Sequence, residues 1–456
     1  MKKTAVGFSI FMLMTCVSWI HADVDESELF GSEESVVDVE TVRSDSVISN
    51  LDSEKVSFSG VLYDRTTYSM RRDWLTGKTN WNQNSLFTYL EGNVSLDIRL
   101  RKDVKAYINL DAYYTPQGQF VVKEYKKMTS DSLSYSNVTV MEKLDTIVDF
   151  KEIFLSANLD RKVYFVLGKQ VLQWGRTYFW QPTDLINIDR KDFFNMDNQI
   201  REGNFGLKLH VPFGTRANIY GFVDANGADN FDDLATAGKA EWLLGRTEFA
   251  FSAWQKKSFF PVYGVDFSTR LLDFSISGEA AVSTGDNMMK LKKTNIMIPY
   301  PPFIMHYAPY REREKLVYRA CISISRSFTW ELQDRIMVIG EFLYNSEGYD
   351  DNMFNVDSDS RDMFMSGFYR SGYYGKYYGA IFSSINHFFH QDVTFRFNAM
   401  ANLQDLSYVA STGITWMPTF NFSVGLGVNG FFGPPNTEYV YPGLGMTSDL
   451  TLSIKF

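Results

Sequence analysis

Val393-Thr394-Phe395-Arg396-Phe397-Asn398-Ala399-Met400-Ala401-Asn402 alternates without a break: one face reads Val, Phe, Phe, Ala, Ala and the other Thr, Arg, Asn, Met, Asn. Successive side chains of a strand point to opposite faces, so the run predicts a strand with one apolar and one polar side. The same parity sets Val94, Leu96, Ile98 and Leu100 against Ser95, Asp97, Arg99 and Arg101. Next along the chain, Ala106, Ile108, Leu110 and Ala112 oppose Lys105, Tyr107, Asn109 and Asp111. Segments 273–283, 317–326, 335–344 and 420–430 follow suit.

Two architectures use such strands. A soluble sandwich turns the apolar face inward, whereas a membrane barrel turns it to lipid and lines its lumen with the polar face. Three features favour the barrel. Segments of about 9–11 residues match a tilted bilayer span. Aromatics gather at segment ends, at Phe328 and Trp330, Phe342 and Tyr344, Trp416, and Phe431-Phe432, where membrane interfaces hold them. Short connections such as Leu271-Leu272-Asp273 alternate with long ones, 284–314 and 345–374. Lipid supplies no hydrogen bonds, so the sheet has to close. The expected fold is an all-β transmembrane antiparallel barrel of about 14–18 strands over 56–456, with an even count.

The chain stops on an alternating strand in which Leu450, Leu452, Ile454 and Phe456 oppose Asp449, Thr451, Ser453 and Lys455. It resembles the closing strand of bacterial outer-membrane barrels, which implies that Leu452, Ile454 and Phe456 form the signal read by the barrel-assembly machinery. Met1–Ala22 reads as a secretory signal: Lys2 and Lys3 precede an apolar core, and Ile20-His21-Ala22 offers a cleavage site. Lipidation at Cys16, after Leu13-Met14-Thr15, is the competing reading. Cleavage after Ala22 would leave Cys321 as the single cysteine, and therefore no disulfide.

Composition narrows the function. Of 456 residues, 45 are Lys or Arg and 54 Asp or Glu, and the pI near 5.2 leaves no basic footprint for nucleic acid. Mean hydropathy is −0.20, and no run after the N-terminus is long and apolar enough for a membrane helix. Residues 23–55 hold eleven acids and two bases, the composition of a disordered leader. The four histidines after the signal, His210, His306, His387 and His390, form no metal or catalytic pattern, and no Gly-x-Ser-x-Gly elbow occurs. No enzyme, cofactor or metal is therefore expected. The acids Asp350, Asp351, Asp357 and Asp359 do not have EF-hand spacing.

The alternation breaks at Gly168-Lys169-Gln170-Val171-Leu172-Gln173-Trp174-Gly175-Arg176-Thr177-Tyr178-Phe179-Trp180-Gln181-Pro182-Thr183-Asp184. Pro182 ends any strand. Folded inward, this segment would bring Arg176, Asp184, Asp189, Arg190, Lys191 and Asp192 to a constriction, with Trp174, Tyr178 and Trp180 as stacking faces; as a surface loop, the same residues would be girdle aromatics and solvated charges. Residues 152–190 resemble a family of bacterial outer-membrane porin-like barrels of largely unknown function, related to alginate-export barrels. The likeness rests on the Gly-Lys-Gln start, Trp174-Gly175 and Pro182-Thr183-Asp184; Arg176 and Thr177 depart from the small or acidic residues common there.

The polar faces add Asp97, Arg99, Asp111, Glu279, Arg319, Glu341 and Arg396 as lumen candidates. Both signs are present, which predicts a hydrated interior without strong bulk preference. The expected function is a passive or substrate-selective outer-membrane channel for small hydrophilic solutes in a diderm bacterium, surrounded by outer-membrane lipid. The rivals are an adhesion or structural barrel with a plugged lumen and a dedicated polysaccharide exporter. More than a dozen strands enclose more space than side chains alone fill.

Overall fold

The structure, a computed structural model, describes residues 56–72, 79–101, 103–128, 135–186, 193, 201–288, 290–293, 307–310, 313–329, 335–349, 369, 371–441 and 443–456. The signal segment, the acidic stretch 23–55, Asp189, Arg190, Lys191, Asp192 and the acids of 350–359 lie outside these residues.

Eighteen strands form one antiparallel sheet that closes on itself. In chain order they are β1 (Val56–Arg72), β2 (Thr79–Arg101), β3 (Val104–Met128), β4 (Tyr135–Leu159), β5 (Val163–Gln170), β6 (Asn204–Phe213), β7 (Ala217–Asp224), β8 (Ala235–Leu244), β9 (Thr247–Gln255), β10 (Val262–Leu271) and β11 (Phe274–Gly285). After the separate hairpin β12 (Lys290–Lys293) and β13 (Tyr307–Tyr310), the barrel continues with β14 (Arg313–Thr329), β15 (Arg335–Asn345), β16 (Tyr377–Asn386), β17 (Val393–Asn402), β18 (Ser407–Thr419), β19 (Phe422–Phe432) and β20 (Leu444–Lys455). Each neighbours the next, and β1 pairs β20 from Val61↔Lys455 to Arg71↔Leu444. At the seam the Gly60 amide donates to Phe456 O at 2.8 Å and the Phe456 amide to Gly60 O at 3.0 Å. Closure leaves no strand edge exposed to lipid.

Eighteen is the top of the expected range. Eight of the eighteen barrel strands have the expected span, while β1 and β14 run to 17 residues and β2, β3 and β4 to 23, 25 and 25. The β3–β4 ladder resumes at Gln119↔Leu144 beyond the pairing with β2, which ends at Leu90↔Tyr114, so this hairpin outreaches its neighbour. Connections alternate as read: short turns such as 160–162, 214–216, 245–246 and 272–273 gather at the end that also holds Val56 and Phe456, and longer segments join strands at the other. The long connection 284–314 carries the β12–β13 ladder, while its prolines Pro299, Pro301 and Pro302 fall outside the described residues.

The parity resolves as a membrane barrel. Outward rows expose Leu167, Val265, Ile381 and Leu426, each more than half accessible, while inward rows bury Asn204, Ser252 and Ser407 completely. A soluble protein does not expose so continuous an apolar band. The lumen is unequally filled. Inside β14–β19, an apolar cluster of Phe179, Trp180, Phe193, Tyr378, Phe382 and Tyr439 packs against the wall. The inner faces of β1–β4 are instead polar, with Arg65, Glu91, Asn93, Asn109 and Asp111.

Candidate functional site: an inward segment held by wall carboxylates

The segment after β5 turns into the lumen. Its backbone amides have no ladder partner there, and buried amides must be satisfied. Two wall glutamates meet that need. Glu279 of β11 accepts the Arg176 amide at 2.5 Å, the Thr177 amide at 2.7 Å and Thr177 Oγ1 at 2.6 Å on Oε1. Its Oε2 accepts the Thr183 amide at 3.0 Å and Thr183 Oγ1 at 2.7 Å. Glu341 of β15 accepts the Tyr178 amide, the Phe179 amide at 2.9 Å and the Trp180 amide at 3.3 Å. Converging amides form an anion-binding concavity, here filled by the protein's own carboxylates.

Arg176 points to β8–β10. It donates to Glu241 at 3.1 Å, to Asp266 at 2.5 Å and to Glu248. Burial works against its charge, but Glu241, Asp266 and Glu248 outweigh that and hold its pKa above the ordinary arginine value. Lys239 donates to Trp174 O at 2.6 Å and pairs with Glu241 at 2.8 Å. Asp184 pairs with Arg201 at 2.9 Å.

A second knot ties this segment to the long-loop end. Trp180 Nε1 donates to Gly372 O at 2.8 Å. The Gly372 amide in turn donates to Glu438 at 2.7 Å, as does Tyr369 OH at 2.7 Å. Tyr378 OH and Asn402 Nδ2 reach the same carboxylate at 2.9 and 2.8 Å. Glu438 is wholly buried, and burial pushes its carboxyl up to about 7 despite these donors.

The sequence-stated candidates therefore separate into groups. Arg176, Glu279, Glu341, Tyr178 and Trp180 come together in one network. Trp174 and Trp180 are buried, so the expectation that they offer stacking faces is corrected: both rings are packed into the segment's own support. Neither ring belongs to an outward girdle. Tyr178 stays half-buried, edge-on to Phe382 at 4.9 Å. Asp97 pairs with Lys105 at 2.9 Å, Asp111 lies 3.8 Å from Lys151, and Arg319 pairs with Asp286 at 2.6 Å, all away from the segment's anchors. Arg99 is exposed and Arg396 half-buried. Leu452, Ile454 and Phe456 face outward and are exposed.

Lumen charges of both signs are present and largely paired, and neither sign is uniformly the more exposed. In the pairs Lys105–Asp97, Arg319–Asp286 and Arg65–Asp449 the base is 31, 23 and 14% exposed against 19, 2 and 7% for the acid. Asp111, Asp266, Glu279 and Glu341 are buried. In Lys151–Asp149, Arg176–Glu248 and Lys239–Glu241 the order is reversed, the acid being 38, 49 and 11% exposed against 12, 14 and 2% for the base. In Lys105–Asp97, Arg319–Asp286 and Arg65–Asp449 the long basic side chain reaches water past its acidic partner.

Sequence reading missed Lys239, Glu241, Glu248, Asp266 and Glu438. The first four sit at inward parity on β8–β10 and were open to the argument that found Glu279. Glu438 lies in a connection with no periodic signal.

No protein-family model matches this sequence, and no curated protein matches it. Solved structures do resemble the fold. Acinetobacter baumannii OccAB1 aligns with a TM-score of 0.50 at 11% identity, over 88% of this chain and 96% of that one. A BenF-like porin from Pseudomonas fluorescens Pf-5 gives 0.50 at 10%, over 88% and 98%. Pseudomonas aeruginosa OpdK, solved with vanillate, gives 0.50 at 7%, over 88% and 98%. At this identity the likeness concerns the fold: a porin-type barrel of eighteen strands. It supports the porin-like half of the resemblance drawn from residues 152–190 and not the alginate-export half.

Proposed function

We propose that the chain is a substrate-selective outer-membrane channel for small hydrophilic solutes, and that it favours anions. The observation that carries the preference is the use made of particular wall acids: Glu279 and Glu341 are spent on pinning the inward segment, and Asp449, Asp97 and Asp286 lie beneath Arg65, Lys105 and Arg319, which keep contact with water. Charged rings at a constriction set selectivity. Eighteen strands leave a lumen wide enough for an aqueous path beside the apolar cluster. The vanillate in the OpdK structure is a small carboxylate, the class of solute such a lumen would favour.

The test is single-channel recording of the refolded, signal-free protein in a planar bilayer under a salt gradient. Steady current with a reversal potential on the anion side supports the proposal. Cation selectivity removes the preference. Absence of current, in protein shown to be folded by heat-modifiable gel mobility, removes the open channel.

One observation favours a second reading, a plugged or gated barrel used for adhesion or polymer export. The inward segment and the 369–375 and 433–443 connections are joined by the Trp180–Gly372–Glu438 chain of bonds. Conductance that rises when 433–443 is shortened would favour this gate.

A further inference from the structure

Asp64 stands in the wrong row. On β1 the inward side chains are Tyr63, Arg65 and Thr67, the last two bonded to the lumen residue Asp449. The outward ones are Phe58, Leu62 and Tyr68, all exposed, and Asp64 falls among them. Its cross-strand neighbours are Leu90 of β2 and Leu452 of β20, both outward and exposed, with no register shift nearby. The position is near mid-height in the apolar band. Tyr68 lies about 13 Å further along the strand towards one rim and Phe58 about 20 Å towards the other, at the strand rise per residue.

Two bases, Lys169 and Arg326, are also found on outward rows, in contrast to the mid-strand position of Asp64. Both sit near strand ends, Lys169 pairing with Glu202 at 2.8 Å and Arg326 with Asp273 at 3.1 Å. Among the described residues Asp64 has no hydrogen bond or ion pair. Acyl chains have no donor to offer, and an ionisable group inside a membrane marks a contact or a function.

The surroundings say what would satisfy it. Two residues along the same face, Thr66 and Thr88 bond hydroxyl to hydroxyl at 3.1 Å. That bond uses one of their two protons, so the pair retains one O–H to donate. Beside Asp64, Gly92 leaves a shallow recess, where a Cβ would meet only Leu62 at 3.9 Å. An acceptor and a spare donor at neighbouring heights make the patch self-complementary. A two-fold axis along the membrane normal keeps heights equal between copies and produces an isologous contact.

We propose that the β20–β1–β2 face around Asp64 is where a second copy of this chain docks within the bilayer, each Asp64 carboxyl meeting the Thr66–Thr88 hydroxyl pair of the other. Hydrogen bonds across apolar membrane interfaces hold such contacts. The contact is independent of what the lumen passes.

The experiment is oxidative cross-linking of Leu90→Cys, outward beside Asp64 and leaving its carboxyl in place, in proteoliposomes at low protein-to-lipid ratio. Val265→Cys, outward on the far wall at β10, is the control; Cys321 is buried and does not compete. A covalent homodimer from Leu90→Cys, at least tenfold above that from Val265→Cys, supports the contact. So does loss of the dimer in sedimentation of Asp64→Leu, with conductance per barrel unchanged. Equal cross-linking at both positions, or none in folded protein, overturns it. A wild type that sediments as a monomer while Asp64→Leu gains heat resistance also overturns it, because Asp64 would then be a bare lipid-facing carboxyl.

Discussion

Gly175 and Glu279 fit together only because residue 175 has no side chain: a Cβ there would lie 2.9 Å from Glu279 Oε1 and 2.5 Å from Gln181 Cβ. Without that approach the Arg176 and Thr177 amides could not close on the carboxylate. The wall glutamate and the segment glycine are one device for placing the constriction.

Gly175→Ala should therefore displace the segment, at a cost of about 1–3 kcal/mol for overpacking. Glu279→Gln keeps the shape but presents an NH₂ where Oε1 or Oε2 must accept. Both should raise single-channel conductance and open-state noise. Unchanged traces in both variants would mean that the segment does not restrict the path.

Arg176→Gln tests selectivity. It removes the base shared by Glu241, Glu248 and Asp266 and leaves Lys239 alone beside two of them. The expected cost is about 3 kcal/mol, from breaking a largely buried pair. The reversal potential should move towards cations, and a mid-denaturation temperature read in detergent should fall. A stability loss without a selectivity change would confine Arg176 to a structural role.

Glu438 makes the loop knot pH-dependent, and the sign follows from its raised pKa. Between its ordinary value of 4.5 and about 7, the folded cluster holds a proton that the unfolded chain has released. Stability therefore falls as pH rises through that window, on the order of 3 kcal/mol in all. The knot is tightest below about pH 4.5, loosens between there and about 7, and changes no further above that. Hydrogen exchange at 433–443 should speed up from pH 5.5 to 8.5 beyond its intrinsic rate. Glu438→Gln, which mimics the protonated form, should flatten that excess; an excess of equal size in the variant would place the titration elsewhere.

At the seam, Gly60 lies under the ring of the last residue, and a Cβ there would come within 2.5 Å of Phe456 Cζ. Phe58 adds its own ring at 5.8 Å from Phe456. Gly60→Val should weaken closure by about 1–3 kcal/mol, seen as a lower temperature for the heat-induced gel shift. A wild-type shift temperature would show that the seam yields without cost.

Much of the fold was legible because the force that sorts side chains acts on each residue separately. Val393 to Asn402 declare a two-faced strand by parity, and β17 indeed buries Thr394, Met400 and Asn402 while exposing Phe397. Phe456, read as the end of a closing strand, pairs with β1 as closure requires. The site was legible only as a break in the pattern. Trp174, Gly175 and Arg176 marked where something happens; their rings and charges did not reveal that two tryptophans would be buried.

What the sequence alone determined is which residues meet lipid and which meet the lumen, since burial preference is written into every side chain and needs only a period of two to be read. What only the tertiary structure decided is how the lumen charges are used. Glu279 meets Thr177 across 102 positions of sequence and Glu341 meets Tyr178 across 163. Parity says that a glutamate points inward; it does not say which amides arrive there. That depends on where a non-periodic segment crosses a closed barrel, and the arrival turns two apparent lumen charges into buried anchors.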